Sequence, residues 1–373
     1  MKPAFSRFFH ADPERLHAAA HSHHPWPDVT YDAHMRAWED AARLADDKWD
    51  RIFGELLPST ASRVARVLGL ADPGSIVFAP NTHELVVRIA SNLDRPFRVL
   101  TTDAEFHSFA RQLRRWEEEG IARAARVPAQ PFDTFPDRLV DAFDGHDLVF
   151  FSHVHFDSGY VTPDLHHVVE AFPEPATVVI DGYHGFMALP TDLSPFAHRA
   201  FYLAGGYKYA MAGEGACFMH VPPSAPARPV DTGWFAGFGA LTERTESVPY
   251  GPGGQRFAGA TADHSGVYRL EAVLTWLEEA GIGPGEIHRH VETLQAKLVA
   301  SLPASLRSRL LEVGGERGHF LTFETKDAAD LYHRLHRNKV ITDHRGDRWR
   351  VGLGIYHDEG DIDRLAAAIG EIV

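Results

Sequence analysis

The sequence predicts an α/β protein, with a mostly parallel β-sheet flanked by helices and a smaller α+β unit after it. Three observations lead there. Short apolar runs alternate with amphipathic stretches between about residues 75 and 219, the pattern of repeated strand-helix-strand units. The apolar runs end in polar or glycine-rich segments, and open parallel sheets bind ligands outside the carboxyl ends of their strands. Beyond the proline- and glycine-rich segment 222–229 and the loop Tyr250-Gly251-Pro252-Gly253-Gly254, the periodicity breaks and resumes in a different order.

Ser75-Ile76-Val77-Phe78-Ala79 is the first predicted strand. Pro80-Asn81-Thr82 stops it, and Leu85, Val86, Ile89, Ala90 and Leu93 then follow at helical spacing. Residues 98–102 form a second strand, with a long helix through Trp116 behind it. Residues 147–151 and 177–180 are the third and fourth strands. Residues 200–203 lead into Gly205-Gly206-Tyr207-Lys208-Tyr209, and 216–219 return as a strand. A helix over 265–280 stops at Gly281, and a second covers 288–302. Alternation over 319–323, a helix, a strand near 349–353 and a closing helix complete the chain. This divides the molecule into an N-terminal segment (1–45), a large domain (46–260) and a small C-terminal domain (261–373).

The 373 residues are 44% hydrophobic and 24% charged, as in ordinary globular proteins. A net charge of -14 argues against nucleic-acid or anionic-membrane partners. The lone Cys217 excludes an internal disulfide and a cysteine-based zinc cluster. Residues 1–13 lack the apolar core of a signal peptide and no run is long enough to span a bilayer, so the expectation is a soluble, cytoplasmic protein. The 24 histidines include His21, His23 and His24 near the start, and His153 and His155 on either side of Val154. They lack the i, i+4 spacing of a helical zinc motif and have no acid in register. No metal site is expected; a polar active-site rim or plain composition accounts for them.

Two segments carry most of the chemistry. Asp181-Gly182-Tyr183-His184 begins with an acid at the end of the apolar run Ala176-Thr177-Val178-Val179-Ile180. Gly205-Gly206-Tyr207-Lys208-Tyr209 presents one lysine in a glycine-rich turn. An acid at a strand end and a presented lysine suit pyridoxal phosphate, which needs an amine for its Schiff base and a carboxylate for its ring nitrogen. Asp181 is either that carboxylate or a structural cap of the next turn. Asn81-Thr82-His83-Glu84, between a strand and a helix, is either an anion site or a plain N-cap. Phe106, at the next strand end, either stacks on a pyridine ring or lies in the core.

The motifs together resemble fold type I pyridoxal-phosphate enzymes of the class V aminotransferase superfamily, and within it most resemble kynureninases. Ser152-His153-Val154-His155-Phe156-Asp157-Ser158-Gly159, Asp181-Gly182-Tyr183-His184, Tyr207-Lys208-Tyr209 with Gly213-Glu214-Gly215-Ala216, Thr232-Gly233-Trp234-Phe235, Arg256-Phe257-Ala258-Gly259-Ala260-Thr261 and Asp343-His344-Arg345 with Arg350-Val351-Gly352 carry the likeness in family order. It implies a seven-stranded-type sheet in the large domain. It also implies that Asn81 and Thr82 bind phosphate, Phe106 stacks on the ring, Asp181 holds its nitrogen, His184 sits beside it and Lys208 is the Schiff-base lysine. Tyr207 and Trp234 would reach the phosphate, with Thr261 doing so from the neighbouring subunit of a homodimer. Arg350 would grip the substrate α-carboxylate. His155 stands where the family usually has Asn, near the expected substrate.

For kynureninase the implied reaction is hydrolysis of the Cβ–Cγ bond of L-kynurenine or 3-hydroxykynurenine, giving alanine and anthranilate or 3-hydroxyanthranilate. Lys208 would take the α-proton. Tyr207, with His184 or a histidine of the N-terminal cluster, would polarise the carbonyl or move the proton. An aminotransferase, epimerase or lyase could use the same Asp181, Lys208 and Arg350. A cysteine desulfurase needs its cysteine on a mobile loop, whereas Cys217 lies in an apolar run and reads as a small buried hydrophobe.

Overall fold

The structure, a computed structural model, describes residues 1–225, 228–242 and 246–373. The predicted break over 222–229 lies partly outside them. The central sheet has seven strands: β1 (Ile76–Ala79), β2 (Phe97–Thr102), β3 (Ala122–Val127), β4 (Leu148–Ser152), β5 (Thr177–Asp181), β6 (Ala200–Gly205) and β7 (Cys217–His220). Their order is β1-β7-β6-β5-β4-β2-β3. Neighbours run parallel except at β7, which is antiparallel to β1 and β6. Six strands fall where the apolar runs predict them. β3 escapes the sequence reading because Arg123 and Arg126 interrupt its apolar run. It is the sheet edge, paired only with β2, where charged side chains face water.

The strands are apolar throughout because both sheet faces are covered. Val149, Phe151, Val178, Ile180 and Tyr202 point into one core, while the alternating Leu148, Phe150, Val179, Phe201 and Leu203 point into the other. Full burial of each such side chain contributes roughly 1.5–3 kcal/mol. The covering helices include α1 (Val29–Leu44), α2 (Leu57–Val67), α3 (Thr82–Ala90), α4 (His107–Glu118) and α5 (Ser265–Glu279). α5 packs on α1 and α2 and sends Leu270, Val273, Leu274 and Leu277 into the large core. The helix expected in the small domain therefore shares the core of the large one. Gly281, at φ +67°, ends it.

A second core belongs to the C-terminal part. There β8 (Phe320–Glu324), β9 (Asp343–Arg345) and β10 (Arg348–Gly352) form an antiparallel sheet in the order β9-β10-β8. Helices α6 (Pro284–Ser301), α7 (Ala328–Arg337) and α8 (Glu359–Gly370) cover it. Val291, Leu294, Leu298, Phe323, Trp349, Val351, Ile362 and Leu365 fill the space between. The N-terminal segment is part of this unit. Leu16 and His17 pair in parallel with Val340 and Ile341, Ala19 bridges to Gly352, and Leu16 and Ala18 join the small core. The segment then runs as a strap towards the carboxyl ends of the large sheet. Among the described residues no helix is long and apolar enough to cross a membrane.

Candidate active site

At the carboxyl ends of the parallel strands lies a cavity of about 380 Å³, within the range of small-molecule sites. Asn81, Thr82, Phe106, Asp181, His184, Tyr207 and Lys208, all expected at the site, line it. Topology brings them together. β1, β2, β5 and β6 end here, and β7, running the other way, begins here with Cys217.

Lys208 is a buried lysine in the turn after β6. Burial, with a contribution from the Arg350 charge, lowers its ammonium pKa to about 7. Its Nζ contacts His184 Nε2 and lies 5.5 and 5.6 Å from the ring centroids of Phe106 and Tyr183. The amine is thus available in its nucleophilic form near neutral pH. Asp181 ends β5. Its Oδ1 accepts from the Tyr183 N–H at 2.9 Å. Burial raises its carboxyl above the usual range, against the pull of that N–H and of Lys208. A carboxylate so placed gains most from a cationic donor within the cavity.

Phe106 is 39% exposed, a large apolar side chain open on the cavity wall rather than packed in the core. Asn81 caps α3. Its Oδ1 accepts from the Glu84 N–H at 2.9 Å and its Nδ2 donates to Glu84 Oε1 at 3.2 Å. Asn81 thus caps α3 and also lines the cavity. Tyr207 lies 3.3 Å, oxygen to nitrogen, from His23 Nδ1, and burial followed by the Glu214 charge raises its phenol pKa. His184 Nε2 lies 3.2 Å from the carbonyl oxygen of His21, and burial followed by Lys208 keeps its imidazole neutral.

Other expected residues lie elsewhere. Trp234 Nε1 donates to Thr261 Oγ1 at 3.1 Å, and Thr261 lines a second, larger cavity of about 610 Å³ that contains neither Lys208 nor Asp181. His155, expected near the substrate, does not line the Lys208 cavity. It is fully buried, its ring edge-on to Phe135 and Tyr160 at 5.3 Å each, and among the described residues neither ring nitrogen has a hydrogen-bond partner. Burial holds its pKa at about 3. The physical reason is that the chain after β4 turns it into the apolar core while Val154 and Phe156 reach the cavity. Arg350 lies buried behind the cavity, its Nη2 on Asp343 Oδ2 and its Nη1 on the carbonyl oxygen of Phe156.

The sequence gives no role to Glu105 and does not foresee that His21 meets Asp343. Glu105 is buried and accepts from Thr102 Oγ1 at 2.7 Å and Ser152 Oγ at 2.6 Å; burial raises its carboxyl pKa to about 8. Its neighbour Phe106 marks the place, but Ser152 is distant in sequence and gives no local signal. His21 and Asp343 meet behind Arg350, joining the two ends of the chain. Among the described residues no group of three or more candidate ligands is arranged to hold a metal ion.

The donor set fits the group expected from the sequence. Lys208 offers an amine for covalent attachment, Asp181 a carboxylate for a ring N–H, Phe106 an apolar face, and the start of α3 a polar end for a phosphate. Comparison with known proteins agrees. The aminotransferase class-V family matches residues 50–365. Isopenicillin N epimerase of Streptomyces clavuligerus is 26% identical over 367 residues, 88% of each chain. That of Amycolatopsis lactamdurans is 27% identical over 378 residues, 89% of each. Among solved structures, the cystine C-S lyase C-DES with its product cysteine persulfide superposes at a TM-score of 0.83 and 17% identity, covering 97% of this chain and 99% of that one. Cysteine desulfurase from Thermococcus onnurineus NA1 gives 0.78 and 16%, over 97% and 95%. The curated relatives are epimerases rather than kynureninases, which removes the support for the finer hydrolase expectation.

Proposed function

The chain belongs to the class-V aminotransferase family, and from that premise we propose that it is an epimerase acting at the α-carbon of an amino-acid substrate. Its cofactor is pyridoxal 5'-phosphate, which the family uses. The observation that carries the reading is the buried Lys208 amine, which shares one cavity with Asp181 and Tyr207 and contacts His184, so that proton-carrying groups surround the place of the substrate. The names of the two curated relatives favour epimerisation over hydrolysis. Desulfurase chemistry is disfavoured by Cys217, which is buried at the start of β7 and whose thiol burial pushes up to about 11.

When bound, the cofactor supplies an electron-withdrawing ring that stabilises the electron pair left at the α-carbon. Lys208 would hold the cofactor through Nζ and would take the α-proton of the substrate. Asp181 would keep the ring nitrogen protonated. Phe106 would lie against the ring face, and Asn81 and Thr82 would meet the phosphate. Tyr207, held protonated by burial and Glu214, would return a proton from the other side. His184 would keep the Lys208 amine in place, and Arg350 would receive the substrate carboxylate. A homodimer belongs to the same proposal. Thr261 and Trp234, remote from Lys208 in their own chain, would serve the phosphate of the neighbouring copy.

The test is incubation of the cofactor-loaded protein with isopenicillin N and with simple L-amino acids in deuterated water. Deuterium at the α-carbon together with the opposite α-configuration is the expected result. Anthranilate and alanine from L-kynurenine, without inversion of any substrate, would restore the hydrolase.

A further inference from the structure

One residue of the N-terminal strap, His21, reaches both halves of the site. Its imidazole is buried and stacks on Phe320 with ring centroids 4.7 Å apart. Nε2 stands 3.5 Å from Asp343 Oδ2, and neither ring nitrogen has a closer polar partner among the described residues. That same carboxylate oxygen accepts from Arg350 Nη2, while Arg345 Nη1 donates to Oδ1 at 2.6 Å. The Arg350 guanidinium lies 5.7 Å from the Phe320 ring centroid, so His21 and Arg350 share one aromatic neighbour.

The backbone is shaped for this arrangement. Gly352 follows Arg350 by two residues in β10, and a Cβ there would stand 2.0 Å from His21 Nδ1. The strap is fixed beside it by the Ala20 N–H, which donates to the Gly352 carbonyl at 3.3 Å. On its other side the carbonyl oxygen of His21 lies 3.2 Å from His184 Nε2, next to Lys208.

We propose that His21 is a positioning residue: acting through Asp343, it aims Arg350 at the carboxylate of the substrate. The proposal rests on the reading above of an amino-acid substrate. A guanidinium binds a carboxylate well only when its fork is held in one orientation. Asp343 supplies that hold, and besides Arg350 two groups, Arg345 and His21, flank its carboxylate. Arg345 is 42% exposed in its side chain, so its contact is screened by water. His21 is buried, so its approach to Asp343 is shielded from water. Without it, Asp343 keeps Arg350 itself and the exposed Arg345, and the space beside Phe320 is left open for the Asp343–Arg350 pair to reorient.

The test compares two ligands that differ only by a carboxylate, L-alanine and ethylamine, each titrated into the holoenzyme while its visible band is followed. His21→Ala is expected to weaken L-alanine roughly tenfold, the scale of removing a buried side chain that stacks on Phe320 and faces Asp343, and to leave ethylamine within about twofold. His21→Gln, which retains a side-chain donor, is expected to recover most of the loss. If His21→Ala does not fold, the near-isosteric Asp343→Asn is expected to give the same carboxylate-selective weakening. Equal weakening of both ligands, or unchanged binding of L-alanine, overturns the positioning role. A wild-type band that neither ligand perturbs overturns the amino-acid reading as well, so the two failures are distinguishable.

Discussion

Asp181 stands in register with Leu203 of the neighbouring parallel strand, and Lys208 enters the same cavity from the turn after that strand. Each stabilises the charged form of the other, yet burial outweighs that attraction and shifts both towards neutrality. A buried acid and a buried amine on adjacent strand ends are poorly satisfied without a ligand between them. A cofactor carrying both a cationic ring N–H and an aldehyde resolves both deficits at once.

Replacing Asp181 by Asn keeps the shape of the wall and removes its charge. Turnover is expected to fall by about 10²–10⁴-fold, with cofactor affinity reduced as well. Cofactor titration and single-turnover rates measure the two effects separately. Wild-type turnover in this variant would place the ring nitrogen against another group.

The buried imidazoles make the fold acid-labile. Burial holds His21 and His155 at about 3 and His153 at about 4, against an ordinary value of 6.5. Between pH 6.5 and about 4 the unfolded chain binds protons at these positions and the folded chain does not. Stability is therefore lost as pH falls below 6.5, by about 1.4 kcal/mol per pH unit for each group once its unfolded form is fully protonated. Glu105, whose carboxyl burial raises to about 8, opposes this with one group, so urea midpoints should decline between pH 6.5 and 5 and not between 7.5 and 6.5. A flat profile would mean that these rings are hydrated or already charged in the native state.

His155→Leu replaces a buried ring, whose two nitrogens have no partner among the described residues, by an apolar side chain. Stability is expected to stay level or to rise by about 1 kcal/mol, with KM unchanged. A severalfold rise in KM alone would put His155 back at the substrate.

The parts of this molecule that depend on local pattern were legible in its sequence. The two-sided burial of β4 to β7 leaves uninterrupted apolar runs, and the reactive groups sit where those runs stop. Lys208, Asp181 and Phe106 could be named on that basis. What escaped depends on pairing between distant segments. β3 is an edge strand whose arginines hide its apolar face, and β9 has only three residues, two of them charged. The strap acquires its place only by pairing Leu16 and His17 with Val340 and Ile341. His155 was placed near the substrate by its position in a resembling motif, which says nothing of how the chain turns after β4 and buries its ring beside Phe135 and Tyr160.

Cys217→Ala is expected to keep activity within about threefold, because the thiol stays protonated and behaves as a small apolar group. Activity assays with the best substrate decide this. A loss of several orders of magnitude would bring sulfur-transfer chemistry back into consideration.

The central claim is that Lys208 carries the cofactor. Lys2, Lys297 and Lys339 hold ion pairs at the surface, whereas Lys208 is buried in the cavity. Borohydride reduction of the cofactor-loaded protein, followed by peptide mapping, tests the assignment most directly. The account predicts one reduced adduct, on the peptide containing Lys208, lost in Lys208→Ala together with the visible band. An adduct on another lysine, or a band that survives the substitution, would contradict it.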